Sequence, residues 1–175
     1  HESVLITGIG GGVATIGLKL AHTCGARVLV SSSSEDKLAR ALALGATAGV
    51  NYTRENWSDE LASSHGRVDL ILDGAGGENF GELLPLVKPG GRVVSYGGTA
   101  GPSVTFPIRY HFWNQLQLIG STMGSPTDFA EMITFVNKHD LKPEIDSVTP
   151  LEGGGDLIAS MAGSPQFGKL VLQIS

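Results

Sequence analysis

Gly8, Gly11 and Ala14 fall three residues apart in "VLITGIGGGVATIGLKLA" (residues 4–21), between an apolar run and a stretch of helical period. Small residues at that spacing let a chain turn tightly, bring its backbone close to a pyrophosphate and pack a helix hard on a strand. The helix N-terminus then faces the anion. The strict pattern G-x-G-x-x-G fails here, because counting from Gly8 and Gly10 reaches Val13, and from Gly10 and Gly12 reaches Thr15. The wider spacing keeps one small residue per helical turn, with alanine as the tolerated third member. The plain alternative is a flexible turn after a buried strand; the strand before and the helix after favour a phosphate loop.

An acidic residue about 20 positions beyond such a loop would take a ribose hydroxyl pair. Counting from Gly11 reaches Ser31 in "VLVSSSSEDKLAR", where four serines stand and no acid does. Glu35 and Asp36 come later, where with Ser34 they suit the positive end of the next helix. Lys37 and Arg40 sit in the first turns of that helix, which the dipole disfavours unless an anion is near. A 2′-phosphate would be such an anion; solvated surface charges are the alternative.

Other chemistries find little support. A metal site needs Cys, His or carboxylate ligands in close array, but Cys24 stands alone and His1, His22, His65, His111 and His139 are scattered. No metal is therefore expected. A tyrosine made acidic by a lysine four residues on is a proton donor, yet Asn56, Ala100 and Asn114 follow Tyr52, Tyr96 and Tyr110 at that distance. This weighs against a short-chain reductase, and Tyr96 and Tyr110 read as packing aromatics. No Gly-Lys-Ser/Thr follows the glycines, which excludes a P-loop. A methyltransferase would more often show the missing acid on the second strand.

The elements that would position these residues follow from the pattern. Short β-branched apolar runs predict strands near 3–7, 27–31, 48–51, 68–73, 91–96 and 116–120. Helical period predicts helices near 12–24, 35–44, 55–63, 77–87 and 126–138, two of them stopped by Gly25 and Gly45. Their alternation implies an α/β Rossmann-type fold, a doubly wound parallel sheet between two helical layers. Glycine clusters at 8–12, 74–77 and 97–98 all follow strands, at the carboxyl ends where such sheets take ligands. At 175 residues, 41% hydrophobic and 17% charged, the chain reads as one well-buried domain. A net charge of −5 gives no electrostatic case for nucleic acid or an acidic membrane. No apolar run approaches the roughly 20 residues of a membrane span. A single cysteine fits a reducing compartment, so a cytoplasmic location is expected.

The ordered set "VLITGIGGGVATIGLKLA", "VDLILDGAGG", "LKPGGRVVSYGG", "LIGSTMGSPTDF" and "FGKLVL" resembles the coenzyme-binding part of the medium-chain dehydrogenase/reductase family. The zinc-type alcohol dehydrogenase-like and quinone oxidoreductase branch is the nearest, and the resemblance runs over essentially the whole chain. It implies hydride transfer from a nicotinamide to a carbonyl, an enone or a quinone, a small-molecule substrate held by the full enzyme. It also implies that the loop at Gly8 and the backbone of Gly11, Gly12 and Val13 hold the pyrophosphate. Ser32 or Ser33, Lys37 and Tyr52 would surround a 2′-phosphate, favouring NADP(H) over NAD(H). Gly74, Ala75, Gly97, Gly98, Thr99, Ser121, Thr122 and Met123 would line the path to the nicotinamide. Ala14 departs from the family's usual glycine, and "LEGGGDLIASM" is glycine-rich where the family has a firmer helix.

In the family a mostly β catalytic domain precedes this part. The expectation is a cofactor half without its chemical half: residues 1–146 the NAD(P)-binding domain, residues 147–175 a segment returning to the catalytic domain. Its last strand would then have an unpaired edge. A homodimer joined through the sixth strand, near Leu116 to Gly120, is expected. The reading from another class is a non-catalytic nucleotide-binding module or redox sensor.

Overall fold

The computed structural model describes residues 1–174. Six strands, β1 (Ser3–Ile6), β2 (Arg27–Ser32), β3 (Ala48–Asn51), β4 (Val68–Asp73), β5 (Val87–Ser95) and β6 (Gln117–Gly120), form one parallel sheet in the order β3-β2-β1-β4-β5-β6. The apolar runs Val4-Leu5-Ile6 and Val28-Leu29-Val30 are buried residue by residue, as strands covered on both faces must be. Leu5, Leu29, Ile71 and Val93 point into one core with Trp57, Phe80 and Leu84. Ile6, Val28 and Val30 point into the other with Leu18, Leu38 and Phe167. The sheet is thus the middle of three layers.

Helices α1 (Gly12–Thr23), α2 (Glu35–Ala43) and α3 (Trp57–His65) follow the first three strands. Ser34 caps α2 by accepting from the Lys37 N–H. Strand order reverses at β1, whose neighbours are β2 and β4, and the parallel register Ile6↔Val30, Ile6↔Leu72 and Ser95↔Gly120 brings the following loops to one edge.

The predicted helix over 77–87 is instead a run of 3-10 turns, Glu78–Leu86. Pro85 inside it lacks the N–H that an α-helix requires. Strand β5 begins earlier than predicted, at Val87, and its register against β4 shifts between Val68 and Leu70. A short α4 (Ile108–Trp113) precedes β6, and the predicted α5 (Pro126–Lys138) starts on a capping box of Ser125 and Asp128.

Beyond it, β7 (Ile145–Pro150) and β8 (Lys169–Gln173) pair in parallel as a separate two-stranded sheet, with α6 (Gly154–Ser160) between them. No helix among the described residues is long and apolar enough to cross a membrane.

Candidate dinucleotide site at the carboxyl edge of the sheet

The turn from β1 into α1 is built for glycine. Gly8 has φ +62° and Gly10 φ +119°, conformations that disfavour any side chain. A Cβ on Gly8 would meet nothing within 4 Å, and one on Gly11 only the Gly8 carbonyl oxygen at 3.8 Å, so the backbone is open to an approaching ligand. Gly11 caps α1 without a side-chain bond, and no acid stands in the first turn. The first N–H groups and the positive end of the dipole are left for an outside anion. Thr15, buried in that turn, donates to the carbonyls of Gly11 and Gly12, both at 3.1 Å. Ala14 is buried against Ile9 and Val30, so a small third member packs where the wider spacing placed it.

Two ammonium groups close on this turn. The Lys37 side chain lies against Gly10, where a Cβ would stand 2.7 Å from its Cδ, and its Nζ donates to the Ser164 carbonyl at 2.5 Å. Lys169 covers Gly12, where a Cβ would fall 2.5 Å from Nζ. Sequence reading missed Lys169, whose only signal was the "FGK" that precedes the last strand.

The approach of Lys169 is fixed by its neighbours. The Gly168 N–H donates to the Gly10 carbonyl at 2.8 Å, and the Phe167 ring is buried in the core beside Ile9 and Ala14. Asp146 accepts from the Phe167 N–H at 3.0 Å and pairs with Arg40 at 3.1 Å, while the Arg40 guanidinium lies 4.4 Å from the centre of the Phe167 ring. Arg40, a cation the sequence offered for a phosphate, is thus committed to holding the C-terminal segment. Asp146 is held below the usual carboxylate range, first by the Phe167 N–H and then by Arg40.

At the end of β2, Ser32 is buried. Its hydroxyl donates to the Ile9 carbonyl at 3.4 Å and accepts from the Ser34 N–H at 3.2 Å, so it braces the loop. Ser33 and Tyr52 are exposed beside it, and the Tyr52 N–H donates to the Ser32 carbonyl. Of the two acids in the first turn of α2, Asp36 is exposed and Glu35 is turned toward β3, where it accepts from Asn51 at 3.0 Å and Arg54 at 2.7 Å. Those bonds, Asn51 first, hold its carboxyl below the ordinary value. Ser33, Lys37 and Tyr52 share the end of β2 and β3, and no carboxylate stands on the last residues of β2 itself.

On the other side of the reversal, Asp73 is buried at the end of β4. It accepts from Thr7 Oγ1 at 2.7 Å, the Gly76 N–H at 2.9 Å and the Ala75 N–H at 3.3 Å. Gly74 and Ala75 pair with the loop after β5: Thr99 donates through N–H and hydroxyl to the Gly74 carbonyl, and the Ala100 N–H to the Ala75 carbonyl. Gly97 and Gly98 lie in that zipped pair, where a Cβ on Gly97 would stand 2.8 Å from the Gly74 carbonyl oxygen. Ser121 joins through its N–H to the Ser95 carbonyl, whereas Thr122 and Met123 are exposed, Met123 with φ +39°. All these residues occupy one edge, one set over β2 and β3 and the other over β4, β5 and β6.

The same fold recurs among known proteins. The sequence model described as zinc-binding dehydrogenase matches residues 12–138. The zinc-type alcohol dehydrogenase-like protein YogA of Leptosphaeria maculans is 38% identical over 99% of this chain and 51% of its own length. Quinone oxidoreductase of Mus musculus is 32% identical over 98% of this chain and 54% of its own. A crystal structure of an NAD-dependent alcohol dehydrogenase superposes with a TM-score of 0.87 at 34% identity, over 99% of this chain and 51% of that one. The chain spans about half the length of the curated relatives it matches.

Proposed function

We propose that this chain, which belongs to the zinc-binding dehydrogenases of the medium-chain dehydrogenase/reductase family, binds NADP(H) in preference to NAD(H) for hydride transfer to a carbonyl, enone or quinone. The observation that carries the reading is the pairing of Lys37 and Lys169 over a glycine turn whose helix N-terminus has neither a cap nor an acid. A cation at a helix N-terminus opposes the dipole and is stabilised there when an anion is also present. The open backbone at Gly8 and Gly11 suits close approach of a pyrophosphate.

Selectivity is assigned to the end of β2. NAD-binding sheets place a carboxylate there for the ribose hydroxyls; here serines and Lys37 stand instead, and Glu35 is engaged with Asn51 and Arg54. Ser33, Lys37 and Tyr52 are the residues assigned to a 2′-phosphate, with Ser32 bracing the loop beneath them. Gly74, Ala75, Gly97, Gly98 and Thr99 shape the floor on which the nicotinamide half lies, and Ser121 to Met123 its far wall. Bound nicotinamide supplies the hydride; these residues fix its position and exclude water from one side. Residues 147–175 are assigned to joining this unit to a catalytic domain.

A zinc ion needs three or four Cys, His or carboxylate ligands in close array. Among the described residues no group of three such side chains could hold a metal ion.

Calorimetric titration of the chain with NADPH and NADH tests the reading. NADPH should bind more tightly, and Lys37→Ala should cost about tenfold or more for NADPH, the worth of one charge-assisted phosphate contact, while sparing NADH. An equal loss for both nucleotides would refute the 2′-phosphate assignment.

A further inference from the structure

Tyr96 follows β5 and is docked on the end of β4, its N–H donating to the Asp73 carbonyl at 2.9 Å. Its ring lies across Gly74, where a Cβ would stand 2.6 Å from Cε2 and 2.8 Å from the hydroxyl oxygen. The ring belongs to neither core and stays half-buried at the carboxyl edge. Packing alone, the sequence-based expectation for this tyrosine, leaves its hydroxyl unaccounted for.

The polar groups around it are engaged with one another. Asp73 is bonded by Thr7, Ala75 and Gly76, and the Gly74 carbonyl by Thr99. Burial, and then the nearby Asp73 carboxylate, push the phenol's pKa up, so the hydroxyl keeps its proton at neutral pH. A neutral O–H donor therefore stands over Gly74 at the carboxyl edge of β4 and β5. With the pyrophosphate at the N-terminus of α1 and the adenosine over β2, the part of a dinucleotide that reaches this place is the nicotinamide riboside.

We propose that the Tyr96 hydroxyl donates a hydrogen bond to the nicotinamide half of the dinucleotide, to a ribose oxygen or the carboxamide oxygen, and is thereby a cofactor-binding residue. The inference rests on the nucleotide-binding reading above. A phenylalanine keeps the ring over Gly74 and removes only the donor.

The test is Tyr96→Phe, with dissociation constants measured by calorimetry for NADPH and for adenosine 2′,5′-bisphosphate, which lacks the nicotinamide riboside and the phosphate that carries it. Loss of one neutral hydrogen bond should weaken NADPH about three- to tenfold and leave the bisphosphate unchanged. An equal loss for both ligands, or none for NADPH, overturns the assignment. If the wild-type chain binds the bisphosphate but gains nothing from the riboside, Tyr96 is excluded and the adenosine site stands. If it binds neither ligand, the nucleotide reading itself fails and this contact with it.

Discussion

Thr7 Oγ1 donates to Asp73 Oδ1 at 2.7 Å, a buried bond that fastens the loop after β1 to the loop after β4 across the point where strand order reverses. The carboxylate also takes the Gly76 and Ala75 N–H groups, so one side chain sets the floor of both halves of the site. Asp73→Ala strands the Gly76 and Ala75 N–H groups and leaves the Thr7 hydroxyl only the long contact to the Leu72 carbonyl at 3.4 Å. A loss of about 2–4 kcal/mol is expected from urea denaturation. Thr7→Val removes one donor and leaves the carboxylate two others, so its loss should be smaller, about 1–2 kcal/mol. A Thr7→Val chain as unstable as Asp73→Ala would show that the backbone bonds to Asp73 contribute little.

Lys169 and Lys37 should separate the two phosphates. Lys169 stands over Gly12 at the start of α1, and Lys37 over Gly10 and beside the end of β2. A pyrophosphate is common to both nucleotides, so Lys169→Gln should weaken NADPH and NADH alike, about tenfold each. Lys37→Ala should act on NADPH alone. Titrating both variants with both ligands checks this; selective loss of NADPH in Lys169→Gln would reverse the assignment.

The fold was legible in the sequence for physical reasons, and so was the edge on which the candidate loops gather. Short β-branched runs such as Val28-Leu29-Val30 can be little but covered strands, and glycines placed after them mark the edge where backbone must stay accessible. Lys169 was not legible, because its approach depends on Phe167 entering the core beside Ile9 and on Arg40 holding Asp146, contacts between residues more than 100 positions apart in sequence. Arg40 misled for the same reason and for a second: it lies in the last turn of α2, where the dipole favours a cation, and it looks free until its carboxylate partner arrives from β7. The 3-10 run at 78–86 carries helical period, and only Pro85 warned against an α-helix.

Asp69 gives the stability of the sheet a pH dependence. Its carboxylate takes Lys88 Nζ at 2.8 Å, the Ser3 N–H at 2.7 Å and the Ser3 hydroxyl at 2.8 Å, tying β4 to β5 and β1. Lys88 first, then Ser3, hold its pKa far below the ordinary carboxylate value. A lowered folded-state pKa stabilises the fold above the unfolded value, near 4, and the contribution is lost as pH falls through the folded value. Asp69→Asn should therefore cost about 1–2 kcal/mol at pH 7 after allowance for solvent screening. The gap from wild type should narrow below about pH 4. Thermal melts at pH 7 and pH 3 check it; a gap that widens in acid would contradict the sign.

The outer edge of the sheet leads to an expected homodimer. Strand β6 pairs only with β5, and all four of its residues are exposed, Leu118 at 37% and Ile119 at 40%. Close in sequence, Phe112 and Trp113 of α4 are exposed at 59% and 74%. A free edge of N–H and C=O groups flanked by apolar side chains is what a second strand pairs with, and isolated proteins usually blunt such edges with charge or proline. Neither stands in Gln117–Gly120. A second copy of the same edge would extend the sheet through a two-fold axis. Sedimentation at high micromolar concentration should give a dimer, and Ile119→Lys, which places a charge on that edge, should shift it to monomer. A monomeric wild-type chain under those conditions would refute the pairing, and an Ile119→Lys chain still dimeric would move the interface to another face.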